Sequence, residues 1–277
     1  MTRVQKTFVT VIIPVWNGAT VVLETLHALY SNTKADSFEL ICVDNASADE
    51  SVNLIQTHFP QAKLLRQPVN LGFAGGVNVG ISEAQGEVFV LLNQDCLVEP
   101  DWLDHLLAGL AAHPNFGVAG CTILNPDGSI NHAGARIIEP LLQGQHFTEI
   151  YSPLPRTSEY VTGALFAVRR STIAKIGLFD EGFYPAYYEE TDYCFRVRAK
   201  GLEVGYIPEC RARHLFSGRE WKENPLQYSA DHHYSRYRFA IKHLTSEQFV
   251  NFFVAEFSAS GQEIYFATHQ FFLTKRS

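Results

Sequence analysis

The sequence predicts an α/β protein: a mostly parallel sheet flanked by helices, with a C-terminal helical appendage. Three observations carry this. Short apolar, β-branched runs alternate with stretches of helical spacing over the first ninety residues or so, the pattern of parallel strands joined by right-handed crossovers. Polar clusters follow those runs, at the strand ends where such sheets bind ligands. The chain has 277 residues, 46% of them hydrophobic, enough to bury a full core without staples.

Residues 8–15 are nearly all apolar, as a strand buried on both faces should be. Residues 19–31 carry helical spacing, with Val22, Leu26 and Leu29 on one side. A second buried strand, 38–43, runs into the polar segment 44–50 and then a helix over 51–58, which Asp49 or Ser47 is placed to cap. A short strand (62–66), a small-residue helix (73–84) and a fourth strand (87–92) follow. Beyond Gly117 the pattern loosens. Strands are predicted at 118–124, 160–168 and 203–207 and a helix at 189–200, with a loop-rich stretch holding Asn125-Pro126-Asp127-Gly128 and Ser152-Pro153-Leu154-Pro155. From Gln227 the chain is aromatic-rich and helical in pattern. We divide it into a catalytic domain, 1–220, and a C-terminal extension, 221–277.

Composition excludes several classes. Lys+Arg 22 against Asp+Glu 29 gives a net charge of −7, no footprint for nucleic acid. The 5 cysteines are widely spaced with no CxxC pair, which fits a reducing compartment rather than a zinc ribbon or a disulfide framework. No signal peptide opens the chain and no apolar window reaches the ~18 residues of a membrane span. The expected location is cytoplasmic, at most peripheral on the membrane. A dinucleotide-binding reading fails as well. The turn after the first strand, Pro14-Val15-Trp16-Asn17-Gly18-Ala19, has a single glycine, and the glycine-rich segment 70–80 follows the third strand instead.

Four places can carry chemistry. Asn93-Gln94-Asp95 ends a buried strand, where a carboxylate suits either a divalent cation gripping a diphosphate or a turn cap. Asp44 has the same two readings, ligand contact or Asx-turn. Tyr187-Tyr188-Glu189-Glu190-Thr191-Asp192 puts three carboxylates within four residues at a helix start. That is favourable charge at a helix N-terminus, or, with Phe183, Tyr184, Tyr187 and Tyr188 alongside, a desolvated general base. His214 follows a strand and reads as a metal ligand or as a structural histidine.

Taken in order, the segments 11–17, 43–49, 70–78, 91–95, 162–164 and 189–192 resemble the family 2 inverting glycosyltransferases of GT-A fold, the rhamnosyltransferase-like branch most closely. The resemblance spans roughly 8–218. It implies a GT-A type, Rossmann-like sheet and a nucleotide-diphospho-sugar donor. Pro14, Trp16 and Asn17 would line the nucleotide pocket. Asp44 would hold the base or ribose, and Asn45, Gly72, Phe73 and Asn78 would complete the nucleoside site. Gly163 and Ala164 would lie near the sugar and the acceptor. Asp95 matches the last Asp of the family's DxD motif, the ligand of Mn²⁺ or Mg²⁺, and His214 stands where a metal- or diphosphate-contacting His falls.

Two positions depart from the family. Asn93 replaces the first Asp of DxD, leaving metal binding to fewer charges. Glu190 stands where the family has its catalytic Asp, one methylene shorter, so Glu189 and Asp192 stay open as alternative bases. The implied reaction is metal-dependent, inverting transfer from dTDP-rhamnose or a UDP-sugar to a bacterial surface polysaccharide or lipid-linked oligosaccharide. The alternative is a catalytically impaired relative that binds the donor as an assembly partner. Two further classes fit the sequence less well. A sugar-1-phosphate nucleotidyltransferase needs a basic loop after the first strand, which Trp16-Asn17-Gly18 lacks. A purely structural partner leaves the ordered acidic motifs without a purpose. In the extension, Phe249, Phe252, Phe253 and Phe257 fall at helical spacings, with Tyr265, Phe266, Phe271 and Phe272 less regular. Such a stripe suits core, a homodimer contact or a membrane-surface face.

Overall fold

The computed structural model describes residues 8–215 and 225–258. In chain order its elements are β1 (Val9–Val15), α1 (Val22–Ser31), β2 (Phe38–Asp44), α2 (Ser51–His58), β3 (Lys63–Arg66), α3 (Gly72–Glu83) and β4 (Val88–Leu92). There follow β5 (Cys96–Val98), α4 (Trp102–Ala112), β6 (Phe116–Leu124), β7 (Ile130–His132), β8 (Ala135–Ile138), β9 (Gln143–His146) and β10 (Arg156–Thr157). The remainder is β11 (Leu165–Arg169), α5 (Arg170–Ile176), α6 (Glu189–Ala199), β12 (Glu203–His214), α7 (Pro225–His243) and α8, residues 246–258.

The main sheet runs β10-β12-β6-β11-β4-β1-β2-β3. β1 is parallel to β2 and to β4, β2 to β3, and β6 to β12. β11 lies antiparallel between β4 and β6, so those two point the same way. The expected mostly parallel sheet is present, with one reversed strand in its middle. Alternation along β1 feeds both faces. Val9, Val11, Ile13 and Val15 join the core beneath α1 and α4, and Ile12 joins the one beneath α3 and α6.

Strand order reverses at β1, with β2 on one side and β4 on the other, a switch point that opens a crevice at the strands' carboxyl ends. Pairing of β1 with β4 stops at Ile12↔Leu91, while pairing with β2 continues past Pro14 to Val15↔Asp44. β1 and β4 therefore part at their ends, and a proline is tolerated where the ladder is one-sided.

Several boundaries differ from expectation. Asp49 does not sit at the N-cap of α2, which is Glu50. Instead the Asp49 carboxylate accepts the N–H groups of Ser51 and Ala19, tying the loop after β2 to the loop after β1. Of the strand expected over 160–168, only 165–168 is in β11, which continues to Arg169, because the chain turns at 163–164. β12 continues beyond Ile207 to His214, its register against β6 shifting between Ile207 and Arg211 around Pro208. α4 went unread although Trp102, Leu103, Leu106 and Leu110, all buried, fall at helical spacing. The 5 cysteines are buried and unpaired.

α7 and α8 pack on the segment leading into α6. Phe239, Ala240 and Phe252 share a small core with Leu142, Phe183 and Tyr188. Of the aromatic stripe, Phe249 and Phe252 face inward, while Phe253 and Phe257 are exposed. Tyr265, Phe266, Phe271 and Phe272 lie outside the described residues.

Candidate active site

Trp16 leaves the end of β1 with its indole 53% exposed, a flat face open to a planar ligand. Its backbone is clamped from β4's end: Gln94 Oε1 accepts the Trp16 N–H at 3.0 Å, and Gln94 Nε2 donates to the Trp16 carbonyl at 3.1 Å. A Cβ on Gly18 would lie 2.4 Å from Gln94 Oε1, so only glycine lets the clamp close. Sequence reasoning passed over Gln94, although it stands between two residues singled out for the site.

Asn17 is exposed beside Trp16, and its side chain holds the loop after β2 through one oxygen. Its Oδ1 accepts the Ala48 N–H at 2.9 Å, and its backbone has a left-handed φ of 47°. Asp44 is buried at 1% exposure and accepts the Ser47 N–H, three residues on, at 2.9 Å, with Arg66 Nε 3.9 Å from its other oxygen. Asn45 donates to the Gly72 carbonyl at 3.0 Å, while its buried Oδ1 has no hydrogen-bond partner. Gly72 has φ 71°, and a Cβ there would strike the Pro185 carbonyl oxygen at 2.7 Å. Phe73 also donates its N–H to that carbonyl, and its ring packs against Gly163. The Asn78 amide is wholly engaged with Phe179 and Glu181. It braces α3 against the loop before α6, which leaves it nothing to offer a nucleoside.

Asp95 and His214 are 119 residues apart in sequence, and the structure brings them together. The β5–β12 register sets His214 opposite Cys96, so His214 Nε2 reaches Asp95 Oδ1 at 3.0 Å. One carboxylate and one imidazole form a mixed oxygen–nitrogen set. Mn²⁺ suits it better than Mg²⁺, which demands oxygen ligands in near-ideal geometry. No group of three or more metal-ligating side chains occurs among the described residues. Two protein donors fit an ion whose other positions go to substrate phosphate and water.

The acidic cluster opens α6. Tyr187 and Tyr188 precede it with left-handed φ of 78° and 66°, strained for aromatic residues. Burial raises the Glu190 pKa from 4.5 to about 7; N–H groups of its own residue, Thr191 and Gly163 hold it from rising further. Glu189 is also pushed up, by burial and then by the neighbouring Glu190 charge, and its Oε2 has no partner. Asp192 is different. Burial alone would raise its pKa, but hydrogen bonds from His243 and Lys242, and the Arg196 charge, outweigh that and hold it below the ordinary range. At 0% exposure and in contact with Arg196, Lys242 and His243, Asp192 is an anchor that no substrate hydroxyl reaches, and it leaves the list of candidate bases.

The two halves of the site meet at one turn. Asn93 donates its N–H to the Ala164 carbonyl at 3.0 Å, and Gly163 donates to Glu190. Trp16, Gln94, Asp95 and His214 thus lie on one continuous framework with Gly163, Ala164 and Glu190.

The family model described as glycosyl transferase family 2 matches residues 10–177. Over 231 residues the chain is 28% identical to the uncharacterized protein y4gI of Sinorhizobium fredii, covering 78% of this chain and 25% of that protein. It is 26% identical to the N-acetylglucosaminyl-diphospho-decaprenol L-rhamnosyltransferase of Mycobacterium tuberculosis, covering 78% of this chain and 79% of the relative. The chain therefore spans a quarter of the first relative's length and about four fifths of the second's. The crystal structure of GalNAc-T7 with UDP, GalNAc and Mn²⁺ matches with a TM-score of 0.65 at 19% identity, over 76% of this chain and 43% of that one. At that identity the likeness is one of fold, the GT-A arrangement that the sequence motifs imply.

Proposed function

The chain belongs to glycosyl transferase family 2, and on that footing we propose that it transfers a sugar, with inversion, from a nucleotide-diphospho-sugar to a saccharide hydroxyl. The observation that carries this reading is Glu190, a half-buried carboxylate whose pKa is raised to about 7 and which is joined through the 162–164 turn to the strand end holding Asp95. Glu190 accepts the proton of the acceptor hydroxyl. The oxygen attacks the anomeric carbon from the face opposite the diphosphate, and the bond to the diphosphate breaks as the new bond forms. Asp95 and His214 would hold a divalent ion, Mn²⁺ in preference to Mg²⁺. When bound, such an ion stabilises the charge on the departing nucleoside diphosphate. Trp16 stacks on the base, and Asn45 turns its unpartnered oxygen toward the nucleoside.

Similarity to an L-rhamnosyltransferase named for a diphospho-decaprenol-linked sugar supports a rhamnosyl donor and a lipid-linked saccharide acceptor. Within that reading the donor we propose is dTDP-rhamnose or a UDP-sugar, and the acceptor a lipid-linked or surface saccharide. No helix among the described residues is long and apolar enough to cross a membrane. We assign catalysis to 1–220 and treat 221–277 as an extension whose described residues, 225–258, brace the base helix, and we propose that the enzyme works in the cytoplasm or on the inner face of its membrane.

Calorimetric titration with UDP, dTDP and GDP, with and without Mn²⁺, tests the reading on wild type and Asp95→Ala. One nucleotide should bind in a metal-dependent manner, and Asp95→Ala should weaken it at least tenfold. Absence of binding by all three at millimolar concentration with metal would overturn the donor assignment. Donor turnover then separates an enzyme from an impaired relative. In the same assay Gln94→Ala, which frees the Trp16 backbone from two hydrogen bonds, should weaken nucleotide binding roughly tenfold. An unchanged Kd would show that the clamp does not serve the pocket.

A further inference from the structure

His132, the last residue of β7, is buried at 0% exposure opposite Ile123 of β6. Its Nε2 accepts the Thr162 N–H at 3.4 Å. That bond sets the tautomer: Nε2 is the bare nitrogen, so the proton of the neutral ring sits on Nδ1. Nδ1 has no hydrogen-bond partner. The ring meets His146 edge to face, centroids 4.5 Å apart. Burial first, then the His146 and Arg156 charges, keep His132 neutral far below the usual histidine range.

A buried N–H without a partner is destabilising, and an apolar ring of similar size would fill the space without it. The imidazole thus leaves one buried N–H unpaired in order to pair another, that of Thr162. What the imidazole supplies, and an apolar residue cannot, is an acceptor for Thr162. The turn it holds is connected on every side. Thr162 Oγ1 accepts the Ala164 N–H at 3.3 Å, the Ala164 carbonyl accepts the Asn93 N–H, and Gly163 donates to the Glu190 carboxylate. On its open side, the Phe73 ring lies 3.2 Å from where a Gly163 Cβ would be.

We infer that His132 is a positioning residue: a buried acceptor that pins the 162–164 turn and so aims the Gly163 N–H at Glu190. The role in turnover rests on the reading of Glu190 as base; the aim of the N–H does not. The groups facing Glu190 are Glu189 beside it, Tyr160, Tyr188 and, one turn along α6, Cys194. Burial pushes the two phenols and the thiol upward, so near neutrality only Glu189 titrates together with Glu190.

The test uses the full chain with ¹³C-labelled glutamate carboxyls, Glu190 being assigned by its loss in Glu190→Gln. Wild type should show a carboxyl midpoint near pH 7. In His132→Leu that midpoint should move upward by about one pH unit, since an N–H favouring the charged form is misaimed. His132→Gln, which returns an acceptor to Thr162, should restore part of the shift. Thermal stability should fall modestly in His132→Leu, which leaves the Thr162 N–H without its acceptor, and less in His132→Gln, with both variants folded at the assay temperature. In donor turnover, His132→Leu should lose about tenfold in kcat with nucleotide Kd within twofold of wild type. An unmoved midpoint in His132→Leu would overturn the inference, as would failure of His132→Gln to restore it while both variants remain folded. A moved midpoint without any change in kcat would leave the positioning role standing and count against Glu190 as the base.

Discussion

Glu190→Gln should lower kcat by about 10²–10⁴-fold, the usual contribution of a positioned general base, while nucleotide Kd stays within twofold. Glutamine keeps the length and the hydrogen-bond acceptor for Gly163 but takes no proton. In wild type, kcat/KM should rise with pH along a limb centred near 7, because the base form exists only above the Glu190 pKa of about 7. The variant should lack that limb. The stability effect runs the opposite way. A carboxyl whose folded pKa lies above its unfolded value keeps a proton that the unfolded chain has lost, so its contribution falls as pH rises from 4.5 to about 7. Glu190→Gln should therefore match wild type in Tm at pH 4 and exceed it above pH 7. Turnover by Glu190→Gln within threefold of wild type would move the base assignment to Glu189, which shares the helix start and the same desolvation.

Asp192→Asn should have the largest effect on stability, about 3–5 kcal/mol, as when one member of a buried ion network is removed. The Asp192 carboxylate meets Lys242 Nζ at 2.6 Å, His243 Nε2 at 2.8 Å and Arg196 Nε at 2.9 Å. Those contacts join α6 to α7. Lys242 also reaches Asp180 at 2.6 Å, which Arg238 contacts at 2.9 Å. Asparagine leaves several positive groups facing a neutral amide in a buried place. Thermal unfolding at pH 7 should show a Tm lower by roughly 10 °C. The sign with pH is that of a depressed carboxylate. The stabilisation is present above the ordinary Asp range and lost as pH falls through the folded value, so the two proteins should converge in strong acid. A difference below 1 kcal/mol at neutral pH would mean that the network is solvated and that α7 does not brace the base helix.

The parts of the site that lie within one strand and its following loop were legible from sequence. Trp16 after β1, Asp44 and Asn45 after β2, and Asn93 to Asp95 after β4 all stand where an apolar run breaks into polar residues. A parallel sheet sends all such breaks to the same edge. Glu189 and Glu190 were legible for a similar reason, as acids at a helix start flanked by aromatics. Side-chain commitments were not. Asn17, Asn78 and Asp192 have the residue types of a binding or catalytic site, yet Asn17 Oδ1 is taken by Ala48, the Asn78 amide by Phe179 and Glu181, and the Asp192 carboxylate by Arg196, Lys242 and His243. Nothing in their spacing announces partners 31, 101 and 51 residues away. Gln94 and His132 escaped for the converse reason: each acts on a backbone group, and backbone groups carry no residue-type signal.

By itself, then, the sequence determined the α/β class, the end of the sheet that carries the site and the family, because hydrophobic period and strand-end polarity are local properties of the chain. Tertiary structure alone decided which of those residues meet. The antiparallel register of β5 on β12 puts His214 against Asp95, and the turn at 162–164 brings a backbone N–H to Glu190. Register and turn direction are set by packing between segments distant in sequence. Burial, which moves Glu190 toward neutrality and leaves Asp192 an anchor, exists only once those segments have closed over the two carboxylates.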